Sequence, residues 1–404
     1  MVCASRSRER LAIPAKATRS RLPTPLARGA HGGAEDRIKM ITRANGGWRR
    51  CIPMRCKGVV VVPGEDPSRR PGEDAAATHR VANRAIVCHV LDGLKAAGLD
   101  ELAVVAPPEL APQIQSCIDE DGSFGSVRHI TCASRDDLLG ALVAADEFVG
   151  EDPCLVHAAD GLVGVELVPF AGLLESDPSD LVLFLHRTSE KRDRLGPGAQ
   201  RVLGISELNG SKTCLSLVSV CLFGPGAVRA ACAAAANSEE RRDLTAIAED
   251  MTDAGRSIRT KFVRTWRRYC GDPLDLLELN RIVLDQQAPE LESVDNGDNR
   301  IEGRVIIHPT AEVSSSIILG PTIIGPSARV SNSYIGPYTS IGAGAEIEGA
   351  EIERSIIADG ARIMHVGGRI EASTVGRSAR IFRDFALPRA MRLHVGDGVE
   401  LALN

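Results

Sequence analysis

"VIIHPTAEVSSSIILGPTIIGPSARVSNSYIGPYTSIGAGAEIE", residues 305–348, sets single aliphatics among small and turn-forming residues at a fixed interval. Ile307, Ile324 and Ile341 are 17 apart, as are Val313, Val330 and Ile347, and Ile318, Ile335 and Ile352. Three inward apolar positions per unit, with "GPT", "GPS", "GPY" and "GAG" at corners, describe one turn of a solenoid whose coils bury each other's faces. A sandwich of strands would alternate with period two and would not keep one spacing over three units. The stretch therefore predicts a parallel β-helix of hexapeptide type; the period alone does not give its hand. Ile357, Ile363, Ile370, Val375 and Ile381 continue it with a slightly longer coil, so the β-helix is assigned to residues 301–383. Beyond it, a C-terminal β tail (384–404), with "MRLHVGDGVELAL", alternates like one or two edge strands closing the solenoid. Coils of this kind commonly associate side by side, so an oligomer is expected.

Towards the N-terminus, a polar linker (286–300) separates the repeat from a region of different periodicity. Across 54–285, short β-branched runs such as "KGVVVV" and "DELAVVA" alternate with helical spacings such as "RAIVCHVLDGLKAAG", which ends in Gly98. The helix "DPLDLLELNRIVLDQQ" is opened by Asp272-Pro273, and "IRTKFVRTW" reads as a strand before it. Such alternation predicts an α/β domain, Rossmann-like, with a mixed, mainly parallel sheet. Ligands of such sheets bind beyond the carboxyl ends of the strands, which singles out the loop after Val62 and Asp160 after strand 153–158.

A chain of 404 residues is too long for one ordinary core, in keeping with two or more domains. A hydrophobic share of 44% and a charged share of 25% are those of a soluble globular protein. The net charge of −5 offers no footing for nucleic acid or an anionic membrane, and no apolar run is long enough to span a bilayer. The 11 cysteines are scattered through apolar segments without C-x-x-C or Cys/His ligand spacing. That pattern predicts buried reduced thiols in a cytoplasmic protein. Residues 1–53 are rich in arginine and lack periodicity and an apolar signal segment. They are expected to be disordered or a mis-assigned start, since "MRCKGVVVV" places a strand directly after Met54.

The stretch "GVVVVPGEDPSRRPGED", residues 58–74, runs from a buried strand into a Gly/Pro loop, the usual place for backbone N–H groups to hold phosphate. Yet the loop carries Glu65, Asp66, Glu73 and Asp74. The answer comes from a resemblance. "RVANRAIVCHVLDGLKAAGLDELAVVA", "DPLDLLELNRIVLD", "RIEGRVIIHPTAEV", "SNSYIGPYTSIGAGAEIE" and "RLHVGD" are similar to the long form of the glucose-1-phosphate thymidylyltransferase family. The likeness runs from Met54 to the end. It implies a nucleotidyltransferase domain followed by a left-handed β-helix. It also implies attack of a sugar 1-phosphate oxygen on the α-phosphorus of dTTP, with Mg²⁺ between two aspartates.

Set on the family's motifs, the chain departs at three places. Gly64 and Pro71 keep the loop's frame, but Asp66, Pro67 and Ser68 stand where Gly-Thr-Arg is expected, and proline removes a backbone donor. "PGEDAAATHRVANR" has no Pro-Lys lysine. "HAADGL" keeps the first metal aspartate as Asp160, whereas "TWRRYCG" puts Tyr269 at the second metal-ligand position, a phenol ordinarily protonated up to about pH 10. On the sugar and nucleotide side, Glu207 keeps the acid of Glu-Lys-Pro, Ser219 replaces a glycine, and Asp137 replaces the glycine that lets the base approach the backbone. The resemblance thus leaves Gly64, Glu207 and Ser219 as a vestigial nucleotide and sugar pocket. One carboxylate about 5 Å from a phosphate oxygen costs on the order of 3 kcal/mol at an effective dielectric near 20. Loss of one preorganised cation removes roughly another 3 kcal/mol of transition-state stabilisation.

Three functions are compatible with these residues. The first is a non-catalytic relative, with no catalytic residues and no cofactor, kept for binding a nucleotide sugar or sugar phosphate, for assembly or for regulation. It would form a homo-oligomer, or a hetero-oligomer with an active paralogue, through the β-helix. The second is an active, Mg²⁺-dependent enzyme in which Arg69 or Arg70 replaces the lost arginine and Glu65 or Asp66 joins Asp160. The third is an acyltransferase on the coils, with His308 or His365 as base. His157 is expected to be a packed strand-end histidine, and Trp266 a strand aromatic with solvated arginine neighbours.

Overall fold

The computed structural model describes residues 55–64, 75–132, 138–164, 173–176, 178–189, 202–208, 211–235, 244–286, 294–295 and 298–383. The expectations for residues 1–53 and for the 384–404 tail lie outside them. A twisted sheet runs, edge to edge, through Ile258–Val263, Leu181–Ser189, Ser211–Phe223, Cys154–Ala158, Lys57–Val61, Leu102–Ala106 and Val127–Thr131. Val202–Leu208 pairs with the outer half of Ser211–Phe223. Lys57–Val61 is parallel to both neighbours, and Ser211–Phe223 is antiparallel to its own, so the sheet is mixed and mainly parallel.

The strand pleat decides which core each residue joins. Val60 and Val62 face the helices Ile86–Ala96, Ala111–Asp121 and Pro273–Gln286 through Leu91, Ile114 and Leu279. Val59 and Val61 face the other layer, where Leu142, Val228 and Ile247 come from Leu138–Val149, Ala227–Ala235 and Leu244–Asp253. The segment expected as one strand, 258–266, divides instead. Ile258–Val263 closes the main sheet, while Trp266–Arg268 pairs antiparallel with Gly161–Val163 in a separate ribbon. Among the described residues no helix is long and apolar enough to cross a membrane.

The C-terminal part is a parallel β-helix of three sheets. Ile301, Ile318, Ile335, Ile352 and Ile370 stack in one, and Ile307, Ile324, Ile341, Ile357 and Val375 in the second. Val313, Val330, Ile347, Ile363 and Ile381 fill the third. Ile318, Ile335, Ile341, Ile352 and Ile363 have no exposed surface. On the outside of the third sheet, Glu312, Arg329, Glu346 and Arg362 alternate in sign from coil to coil, with Arg–Glu separations of 3.2–3.5 Å. Backbone of positive φ recurs at one corner as Ser315, Asn332, Gly349 and His365.

The second sheet packs on the α/β body. Ile356 enters that body's core. Asn280, with no exposed surface, accepts hydrogen bonds from the Ala82 N–H (2.8 Å) and the Ser340 hydroxyl (3.0 Å) and donates to the Tyr338 carbonyl (3.0 Å). Asn83, at φ 65°, donates to the Ile341 carbonyl at 2.7 Å. Arg304 donates to the Asp285 carbonyl at 2.6 Å, and the Tyr338 hydroxyl donates to the Asp285 carboxylate at 3.1 Å.

Candidate functional site

The carboxyl ends of Lys57–Val61 and Cys154–Ala158 lie side by side, and the Ala159 N–H donates to the Val61 carbonyl at 2.8 Å. This bond sets Asp160 beside the start of the Gly64 loop, where an α/β sheet binds its ligands. Residues 65–74 lie outside the described residues, and with them Glu65, Asp66, Arg69 and Arg70; so does Asp137. Gly64 is the last described residue before that loop. Glu207 pairs through its backbone with Lys212.

Asp160 is 4% exposed. Its Oδ2 receives the Nε of Arg268 at 2.6 Å and, at 3.4 Å, the hydroxyl of Ser219. Ser219 reaches it from an irregularity in the pairing of Ser211–Phe223 with Leu181–Ser189, between Leu217 and Cys221; such bulges re-aim side chains. Oδ1 of Asp160 is buried and has no hydrogen-bond partner among the described residues. An unsatisfied buried acceptor of this kind costs about 1–3 kcal/mol.

Arg268 reaches Asp160 because the ribbon strands come unusually close. A Cβ on Gly161 would lie 2.3 Å from the Arg267 carbonyl oxygen, so only glycine fits there. The Tyr269 N–H donates to the Asp160 carbonyl at 2.8 Å, while its ring packs edge-on against His79, centroids 4.6 Å apart. The arginines beside Trp266 are therefore not solvated as expected. Arg267 forms an ion pair with the buried Asp275, with Nε at 3.0 Å, and Arg268 holds Asp160. Asp275 also accepts the Cys270 N–H at 2.9 Å. Sequence reasoning missed both pairs; the available signal was an arginine immediately before Tyr269.

His157 is 1% exposed, and its Nδ1 lies 2.7 Å from the Ala158 carbonyl oxygen. Burial lowers its pKa to about 4, so the ring is neutral. His308 and His365 stand on the coils. His308 Nδ1 lies 2.9 Å from the Thr310 hydroxyl and 3.2 Å from its N–H. His365 occupies a corner of positive φ, 3.6 Å from Glu348. A groove of about 640 Å³ runs between the α/β body and the coils, past Arg80, Arg84, His308 and Ile323; Asp160 is not among its walls. Cys88, Cys154 and Cys221 are buried free thiols whose pKa burial raises.

The family implied by the resemblance holds Mg²⁺ at this site, and the donor set decides whether the residues present fit it. Unpartnered Oδ1 offers one ligand atom. Against that, Arg268 already neutralises the carboxylate, and Tyr269, which the resemblance sets at the second ligand position, is a phenol. A doubly charged ion about 5 Å from a guanidinium is repelled by roughly 7 kcal/mol at an effective dielectric near 20. Among the described residues no group of three His, Cys, Asp or Glu side chains could hold a metal. The described residues do not fit the ion.

No family model matches the chain. Over 349 residues it is 31% identical to a glucose-1-phosphate thymidylyltransferase of Streptomyces griseus, covering 84% of this chain and 98% of that protein. A glucose-1-phosphate thymidylyltransferase of Streptomyces antibioticus is 28% identical over 84% of this chain and 98% of its own length. A low-salt glycan biosynthesis nucleotidyltransferase of Haloferax volcanii, Agl11, is 26% identical over 86% of this chain and all of its own length.

Proposed function

The chain belongs to the glucose-1-phosphate thymidylyltransferase family, and from that premise we propose that it has given up nucleotidyl transfer. In this reading it is retained in the cytoplasm to bind a nucleotide sugar or sugar phosphate and to assemble, with itself or with an active paralogue, through the β-helix. The observation that carries the reading is the Arg268–Asp160 ion pair at 2.6 Å. Phosphoryl-group chemistry of this kind depends on positioning and positive charge around a metal. Here the surviving metal carboxylate is neutralised by the protein itself, and Tyr269 replaces its partner. The loop sequence "EDPSRR" and the missing Pro-Lys support the same conclusion.

The test is pyrophosphate release from dTTP and the other common nucleoside triphosphates, with glucose 1-phosphate and Mg²⁺, by folded full-length protein. No release above background is expected. Turnover that disappears in Asp160→Asn would overturn the proposal and establish an active enzyme with a rebuilt loop around Arg69 or Arg70.

A further inference from the structure

We infer that Arg268 is the resident cation of this site: its guanidinium stands in for a divalent ion, and Asp160 serves instead as an acceptor for a ligand hydroxyl. The choice of ligand rests on the reading above, that the pocket takes a nucleotide sugar or sugar phosphate. The charge exchange rests only on the geometry.

A buried carboxylate needs a counter-charge and enough donors for its lone pairs. Arg268 supplies the first at Oδ2, with Ser219 beside it. Oδ1 is buried and still lacks a donor among the described residues. Once the carboxylate is neutralised, the partner that suits its remaining oxygen is a neutral O–H rather than a second cation, because an added cation would be repelled by Arg268. A sugar ring supplies such hydroxyls. Tyr269 fits the same arrangement: its ring packs against His79, and among the described residues no group of three His, Cys, Asp or Glu side chains gathers to hold a divalent ion. The site has kept the aspartate of a metal centre and exchanged the metal for a side chain.

The experiment reads metal and ligand separately on full-length protein. Mn²⁺ binding, followed by electron paramagnetic resonance, should be weak in the wild-type protein and unchanged by Asp160→Asn. The double variant Arg268→Met/Tyr269→Asp, which removes the cation and restores a carboxylate, should bind Mn²⁺ on the order of a hundredfold more tightly. Arg268→Lys keeps the charge and should behave like wild type, which separates charge from loss of folding. Tight Mn²⁺ binding by wild type that Asp160→Asn abolishes would overturn the inference, as would a folded double variant that gains nothing.

In the second arm, calorimetry with dTDP-glucose should give the same affinity, within about twofold, in EDTA and in Mg²⁺. Binding only with Mg²⁺ would overturn the inference while leaving the proposed function standing. Binding in neither condition would remove the ligand assignment and the proposed function, with the Mn²⁺ arm still deciding the role of Arg268.

Discussion

Two buried polar side chains, Asn280 at the junction of the α/β body with the β-helix and Asp160 at the sheet's carboxyl edge, meet opposite fates. Asn280 has both polar atoms satisfied by three bonds from a hairpin, a coil and a coil corner. Asp160 pairs with Arg268, yet one of its oxygens is buried without a donor among the described residues. Folding selects against the second situation unless something else is gained, so the difference separates a residue that holds the architecture together from one whose burial the architecture alone does not explain.

The largest expected effect breaks the architectural member. Asn280→Ala leaves the Ala82 N–H, the Ser340 hydroxyl and the Tyr338 carbonyl without their partner, and should cost about 3 kcal/mol or more in denaturant unfolding. A loss under about 1 kcal/mol would mean the junction is held by Ile356 and its apolar neighbours alone. Acid comes next. His157 has its pKa lowered by burial from 6.5 to about 4, so the unfolded chain takes up its proton first as the pH falls. Its contribution is full above about pH 6.5 and is lost between there and about pH 4, by up to about 3 kcal/mol. His157→Phe should flatten the stability profile in that window. The smaller effect falls on Asp160. Asp160→Asn keeps an oxygen for Arg268, whose side chain is 29% exposed and so stays partly solvated without its counter-charge, and the loss of stability should be about 1–2 kcal/mol, below that of Asn280→Ala. A loss as large as that of Asn280→Ala would erase the contrast.

The sequence spoke most clearly where structure is periodic. A spacing of 17 between aliphatics translates directly into coil-on-coil register, and the longer final coil appears as Ile352 over Ile370. The alternating strands and helices of 57–286 were legible for a related reason: the helices bury one face at their own period, and the central strands, buried on both faces, read as continuous apolar runs. Asp160 was legible as a residue just beyond a strand's carboxyl end. Its neutralisation by Arg268 was not, because that pairing depends on two ribbon strands meeting across Gly161, a contact that no local pattern encodes. Asn280 was invisible for a similar reason: on its helix it is one polar residue among several, and only the packed coil makes it a junction.

The isoleucine stacks of the β-helix cannot distinguish one coil from the next, since every coil offers the same apolar face. The outer column of Glu312, Arg329, Glu346 and Arg362 can. A chain that skipped a coil while winding would bury its aliphatics just as well, but it would set Glu312 against Glu346 and Arg329 against Arg362, and like charges on facing strand positions repel. Across these four coils the alternation gives a degenerate repeat a parity check: each correct step from Glu312 to Arg362 is marked by opposite charges in contact and each omitted coil by a mismatch, and the check ends at the next coil, where Arg380 faces Arg362.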